Sequence, residues 1–317
     1  MKKAFKILGI ILGVIALLIA AFAAWVQLTP LPKFEPQSLD ITVSRDSLSV
    51  ARGRKVVETH CVGCHLGEDG KLSGRLFTKP DDPFGVIWSR NITNHPEKGI
   101  GSYKDGELAY LFRTGIRPNG EWAGPYMSFP MMSDEDVACL IAYLRSDSPL
   151  IQASEATHPE PKYTFLAKAL IKMELFKPYP YDGKPKTAPP ATDQIAYGRY
   201  LATAVYDCFN CHSASFETNN HFEPEKSPRF FGGGNPMHDM DFQPVVSANI
   251  TMHKTAGIGS WTKEEFAAAV RTGARPDQRI LSGAMPRYGL LDDQETDAIW
   301  AYLQTVPALD NELAKKN

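Results

Sequence analysis

Much of this 317-residue chain is written twice. Asn91-Ile92-Thr93 is followed by Gly99-Ile100-Gly101-Ser102-Tyr103, and Asn249-Ile250-Thr251 by Gly257-Ile258-Gly259-Ser260-Trp261. Arg113-Thr114-Gly115-Ile116-Arg117-Pro118 returns as Arg271-Thr272-Gly273-Ala274-Arg275-Pro276. The step from the Asn to the first Gly is eight residues in both copies, and from that Gly to the first Arg fourteen. Equal spacing of this kind makes the chain two copies of one domain, in keeping with its length. The punctuation is helical. Ser133-Asp134-Glu135-Asp136 opens an apolar face at Val137, Leu140, Ile141 and Leu144, and Asp292 and Asp293 introduce Ile299, Trp300 and Leu303. Thr262 and Glu265 read as a capping box before another helix. The expected fold class is all-α.

Each copy also carries paired thiols. Of five cysteines, four fall in Cys61-Val62-Gly63-Cys64-His65 and Cys208-Phe209-Asn210-Cys211-His212, and Cys139 stands alone. An odd count in so long a chain argues against a disulfide framework. A redox dithiol would sit near a βαβ pattern, which is absent from the sequence, and a four-thiolate zinc site would have to join motifs 147 residues apart. C-x-x-C-H is the pattern for covalent haem attachment: two thiols form thioethers and the adjacent imidazole lies under the iron. The expected cofactors are therefore two covalently bound haem c groups, on Cys61, Cys64 and His65 and on Cys208, Cys211 and His212.

The opposite ligand is sought before each last helix. Met285 precedes Pro286 there, and Met127, Met131 and Met132 compete in the first copy. Asn249 to Met285 and Asn91 to Met127 are both 36 residues, which selects Met127 and leaves Met131 and Met132 as core contacts. His95, His221, His238 and His253 are the rival ligands, and Cys139 a weaker one. His65 with Met127 and His212 with Met285 would leave no open iron position, which favours electron transfer over catalysis at the haem. Tyr103, Trp261, Arg117 and Arg275 either approach haem propionates or pack in loops. The N-I-T triplets match a glycosylation pattern, but their fixed place in both copies favours a structural loop.

The N-terminus places the protein. Residues 1–6 hold Lys2, Lys3 and Lys6, and an uncharged apolar run fills 7–26. Twenty residues at about 1.5 Å each span about 30 Å, the hydrocarbon core of a bilayer. The lysines keep the N-terminus cytoplasmic, so a transmembrane anchor here would leave the remainder in the periplasm of a bacterial inner membrane. Cleavage near Ala21-Phe22-Ala23 is the competing reading and would release a soluble periplasmic protein. Copies at 48–146 and 194–306 flank a proline-rich strap, 147–193, whose helical stretch from Thr164 to Lys177 is expected to pack on the domains. A net charge of -2 gives no reason to expect nucleic acid.

At these residues the sequence resembles the mono- and dihaem cytochrome c family, particularly the cytochrome subunits of membrane-bound alcohol, aldehyde and gluconate dehydrogenases. The resemblance rests on C-x-x-C-H, N-I-T with G-I-G-S-Tyr/Trp, R-T-G-x-R-P and a Met before a terminal Tyr-Leu helix. It implies two tandem class I-like haem domains passing electrons from a dehydrogenase towards a quinone or terminal oxidase. There are two departures. The dehydrogenase cytochromes usually have three haem motifs, and their Met-Pro-Tyr is replaced here by Gly124-Pro125-Tyr126. The rival class is a dihaem enzyme, a peroxidase or a thiosulfate-oxidising cytochrome, which requires an open or unusually ligated iron. A third possibility is a docking domain with haem as structural filling.

Overall fold

The computed structural model describes residues 2–124 and 127–311. It is mostly helical. After the apolar helix α1 (Lys2–Leu28), one half runs α2 (Ser47–Val56), α3 (Val62–His65), α4 (Asp105–Thr114) and α5 (Asp134–Leu144). Helix α6 (Phe165–Lys172) follows in the strap, and the other half repeats the order as α7 (Gln194–Tyr200), α8 (Cys208–Cys211), α9 (Lys263–Thr272) and α10 (Asp293–Leu303). All-α needs one adjustment. Gly85–Val86 (β1) pairs antiparallel with Lys162–Tyr163 (β2), and Pro236–His238 (β3) with Pro244–Val246 (β4). Pairings of two or three residues are too short to leave an alternating pattern in sequence.

The helix ends are set by local chemistry. Asp46 accepts from the amides of Leu48 and Ser49 and starts α2. Ser133 accepts from Asp136 N–H and starts α5. Thr262 with Glu265 and Asp292 with Glu295 form full capping boxes on α9 and α10. Both R-T-G triplets are helix exits: Gly115 and Gly273 take left-handed φ of 81° and 82° and close α4 and α9.

In each half the first helix crosses the last, α2 on α5 and α7 on α10. Both crossings are made through glycine. A Cβ on Gly53 would lie 1.9 Å from the Cys139 carbonyl oxygen, and one on Gly198 1.8 Å from that of Ala298. Val56, Val57, Leu140, Ile141 and Leu144 fill the first core, and Leu201, Val205, Phe209, Ile299 and Leu303 the second.

The halves meet in a reciprocal way. Lys55, on α2, reaches Asp292 at 2.8 Å and Glu295 at 2.7 Å at the start of α10. Tyr200, on α7, accepts from Ser133 N–H at 2.9 Å and donates to Asp136 at the start of α5. Between these contacts the His60 ring lies parallel to Tyr206, with centroids 6.4 Å apart.

The strap is stitched to the first half. Leu72 N–H donates to Leu150 O, Asn94 N–H to Ile151 O, and Tyr179 N–H to Thr114 O. Its helix is shorter than the expected Thr164–Lys177, because the chain turns at Met173 and Glu174 adopts φ 57°. The expectation that its apolar residues pack on the domains holds for Ala167 and Ile171 but not for Phe165, Leu166, Met173 and Leu175, which are exposed. Residues 30–43 also wrap the first half, with Phe34 N–H on Gly120 O and Leu39 N–H on Gly106 O.

Candidate functional site

Each C-x-x-C-H lies on one helical turn, so its thiols and imidazole share a locality before any tertiary contact forms. A π-turn precedes each: Val57–Cys61 runs straight into α3, and Leu201–Val205 leads to Tyr206 and to Asp207 at φ 50°, where the helix breaks before α8. The two histidines are then oriented identically. His65 Nδ1 bonds Arg90 O at 2.7 Å, and His212 Nδ1 bonds Ala248 O at 2.7 Å. A carbonyl can only accept, so Nδ1 carries the proton and Nε2 keeps its lone pair for a metal.

Those carbonyls belong to the residues just before Asn91 and Asn249, which gives the N-I-T triplets their role. Asn91 Oδ1 accepts from Thr93 N–H at 2.9 Å and from its hydroxyl at 2.6 Å, and Asn249 does the same for Thr251 at 2.9 and 2.7 Å. The amide groups reach the chain beyond each last helix: Asn91 Nδ2 to Ser154 O, and Asn249 Nδ2 to Leu309 O. The two Asn side chains thus fasten the loop that aims each imidazole. At 6% and 3% exposure they are inaccessible to a glycosylating enzyme. Gly99 and Gly257 sit within these turns, where a Cβ would strike Thr93 O and Thr251 O. Close backbone approach, not phosphate binding, explains them.

The thiols are not poised as thiolates. Burial pushes Cys61, Cys208 and Cys211 up to about 12 and Cys64 to about 11, with Arg75 only partly opposing the rise at Cys64. Among the described residues no three His, Cys, Asp or Glu side chains converge to hold a metal ion, as a four-thiolate site would require. His60, next to Cys61, stacks on Tyr206, two residues before Cys208, so the two motifs approach one another where the halves meet.

The methionine loops differ. From Arg117 N–H on Glu121 O and Ala123 N–H on Gly115 O, the second half follows with Arg275 on Arg279 and Leu281 on Gly273, an offset of 158 residues. Beyond them Phe129 N–H bonds Phe112 O and Tyr288 N–H bonds Val270 O, an offset of 159 for the donors. The second loop is therefore one residue longer, and the equal 36-residue count does not carry through to the last helix. Met127 lies two residues before its anchored aromatic, Met285 three. Pro125 and Tyr126 lie outside the described residues. Met285 is held by Arg287, whose Nη1 donates to its carbonyl at 2.8 Å. Met132 is fully buried and Met131 packs on the core.

Of the rival ligands, His95 and His253 are hydrogen-bonded within their own loops. His95 bonds Glu155 through Nε2 at 3.1 Å and accepts Lys98 N–H on Nδ1. His253 Nδ1 accepts Ala256 N–H. His221 packs against Tyr179 and Phe209, and burial lowers it to about 4. His238 lies exposed on β3. Cys139 is buried in α5 beside Ser49, with its carbonyl against Gly53 at the α2 crossing.

Haem needs a nitrogen donor for iron and hydrogen-bond donors for two carboxylates, and this chain supplies both kinds. Arg117, close enough to His65 to act on it, is lowered by burial and by neighbouring Arg90; Tyr103 and Tyr163 share its field. Trp122 Nε1 and Ser128 Oγ are buried without a partner in the protein, and both flank Gly115. Arg275 and Trp261 stand at the corresponding places in the second half.

His60 escaped the sequence reading. Burial lowers it to about 4, so it is neutral, and its Nε2 has no partner in the protein. Its ring packs edge-on to Phe129 as well as flat on Tyr206. Asp207 stands in its place in the second motif, so the repeat gave no signal.

Paired thiols, an imidazole aimed by a backbone carbonyl, and a methionine-bearing loop before a terminal helix define a c-type cytochrome fold. Residues 50–148 match the cytochrome c family, so the first half of this chain carries a cytochrome c domain. Over 281 residues the chain is 30% identical to the cytochrome c subunit of a quinone alcohol dehydrogenase from Gluconacetobacter polyoxogenes, covering 84% of this chain and 58% of that one. It is 29% identical to the fructose dehydrogenase cytochrome subunit of Gluconobacter japonicus, covering 82% and 53%. A diheme cytochrome c-type protein of Cereibacter sphaeroides is 25% identical over 93% of this chain and 97% of its own length. The chain thus spans little more than half of the dehydrogenase subunits it matches.

Proposed function

We propose that this chain is a membrane-tethered dihaem cytochrome c, built from two tandem class I-like domains, that relays electrons on the periplasmic side between a dehydrogenase and the respiratory chain. The observation that carries this reading is the twofold recurrence of one device: C-x-x-C-H with its imidazole held at 2.7 Å by the carbonyl before N-I-T. Haem c would supply a reversible one-electron iron couple. The chain's own residues attach and orient it. Cys61, Cys64, Cys208 and Cys211 would form thioethers, His65 and His212 present Nε2, and Met127 and Met285, from the loops before α5 and α10, would supply the opposite ligands. Arg117, Trp122 and Ser128 offer donors to propionates in the first half. The domains span 48–146 and 194–306, with the strap 147–193 bound to the first. The stacking of His60, next to Cys61, on Tyr206, two residues before Cys208, supports passage between the two centres.

Relatives named as cytochrome subunits of alcohol and fructose dehydrogenases support a dehydrogenase as the electron donor. Helix α1 supports tethering, being long and apolar enough to cross a membrane. The reading is tested by the intact mass and pyridine haemochrome of the purified protein. Two haems per chain, the second lost in Cys208→Ser/Cys211→Ser, uphold it; one haem in the unaltered chain refutes it. The dihaem-enzyme reading is favoured by one observation, the slip of register at the Met127 loop, which gives the first centre a different sixth-ligand segment. A high-spin first haem that reacts with peroxide would select it.

A further inference from the structure

Helix α6 is amphipathic in three directions. Ala167 and Ile171 turn towards the protein and are buried. Phe165, Lys168 and Lys172 turn towards α1. The Phe165 ring meets Phe22 edge-on at 6.2 Å, and Lys168 Nζ bonds Gln27 at 3.2 Å. Lys172 Nζ bonds Trp25 O at 2.9 Å, Val26 O at 3.0 Å and Thr29 O at 2.6 Å, and lies 5.4 Å from the Trp25 ring centroid. A lysine is thus placed on the carbonyls at the end of α1, where a cation suits the helix dipole. The third face carries Leu166, Leu170 and Met173 at helical spacing beside the buried Ala169, and Leu170 itself is half-buried. Leu166 is 48% exposed, Met173 53%, and Leu175 just beyond 64%.

We propose that α6 is a second membrane contact: an interfacial helix that lays Leu166, Leu170, Met173 and Leu175 into the lipid around the exit of α1. Continuity decides the occupant. The bare face adjoins the apolar surface of α1, whose Phe22 and Trp25 are themselves exposed. Trp25 and Lys172 place an aromatic and a cationic group side by side, the arrangement an interface favours. The strap, bonded along its length to the first half, then converts a flexible tether into a fixed seat. The haem-bearing body is held at one height and one orientation above the bilayer. The proposal rests on α1 being retained as an anchor.

The test places single nitroxide labels on the full haem-loaded chain in phospholipid nanodiscs, through Leu17→Cys, Leu166→Cys, Met173→Cys and, as a water-facing control, Ile280→Cys. Collision with oxygen is compared with collision with a water-soluble nickel chelate. The expected result puts the labels at 166 and 173 about 5–10 Å into the headgroup and acyl boundary. The label at 17 should lie deeper and that at 280 in water. Labels at 166 and 173 that collide freely with nickel while 17 stays in lipid overturn the α6 proposal and leave the anchor standing. Labels at 166 and 173 shielded from both reagents also overturn it, since they mean that protein covers this face. If 17 is not in lipid, the anchor reading fails and the proposal with it.

Discussion

Alanine at Gly198 tests whether the crossing of α7 on α10 fixes the second half. The added Cβ would sit 1.8 Å from Ala298 O and 2.4 Å from its carbonyl carbon. Both atoms are backbone of a helix, so no side chain can swing away. Ordinary contact distances require the helices to part by more than about 1 Å, and a gap of 0.5–1 Å already forfeits a quarter to a half of each dispersion contact. The contacts at stake are those of Tyr200, Leu201, Ile299, Trp300 and Leu303. Over-packing of this kind costs about 1–3 kcal/mol or more, and we expect about 3 kcal/mol, a large part of the ~5–15 kcal/mol that holds a typical domain. The assay is denaturant unfolding of the haem-loaded chain, followed by near-UV and Soret dichroism. Gly53→Ala should act similarly on the first half through Cys139 O, while Gly283→Ala, with nothing within 4 Å of its Cβ, should match the unaltered protein. A midpoint for Gly198→Ala equal to that of Gly283→Ala would refute the crossing argument.

Asn249→Ala should destabilise the second half by about 2–4 kcal/mol, because it strands the Thr251 amide and hydroxyl and the Leu309 carbonyl; expression in a glycosylating host should leave the unaltered Asn249 free of glycan by mass. Asp46 is held at about 2, against an ordinary 3.8, by bonds from Ser44 and Ser49. A depressed carboxylate stabilises above its unfolded value and loses that contribution as pH falls through the folded one, so the midpoint gap between the unaltered chain and Asp46→Asn should shrink between pH 4 and about 2. Burial raises Asp207 to about 8, so its ionisation above that pH places a negative charge beside Cys208 and Cys211. The second centre's potential, followed by spectroelectrochemistry, should fall as pH rises through 8 and become flat in Asp207→Asn.

The sequence revealed most where chemistry is local. Capping at Ser133, Thr262 and Asp292 and the R-T-G exits obey rules that act within four residues, and the thiol pairs act within one helical turn. N-I-T was legible as a structural loop, but not what it fastens, because Ser154 O is 63 residues beyond Asn91 and the His65 ring, which bonds the adjacent Arg90 O, lies 26 residues before it. Gly53 and Gly198 were missed for another reason. They lie eight and ten residues before their first motif cysteines, so a repeat aligned on the motif sets them out of register. His60 has no counterpart at all and gains its meaning only from Tyr206 in the other half. The equal count to the two methionines does not extend to the last helices, because the second loop is longer by a residue after the last shared hydrogen bond.

The account stands on two low-spin centres in one chain. A coulometric titration of the purified full-length protein, with optical and paramagnetic spectra taken at each potential, tests this most directly. The account predicts two electrons per chain, two low-spin ferric haems and the sulfur-to-iron charge-transfer band, lost in part in Met285→Ala. One electron per chain, or a high-spin haem that binds peroxide, would contradict it.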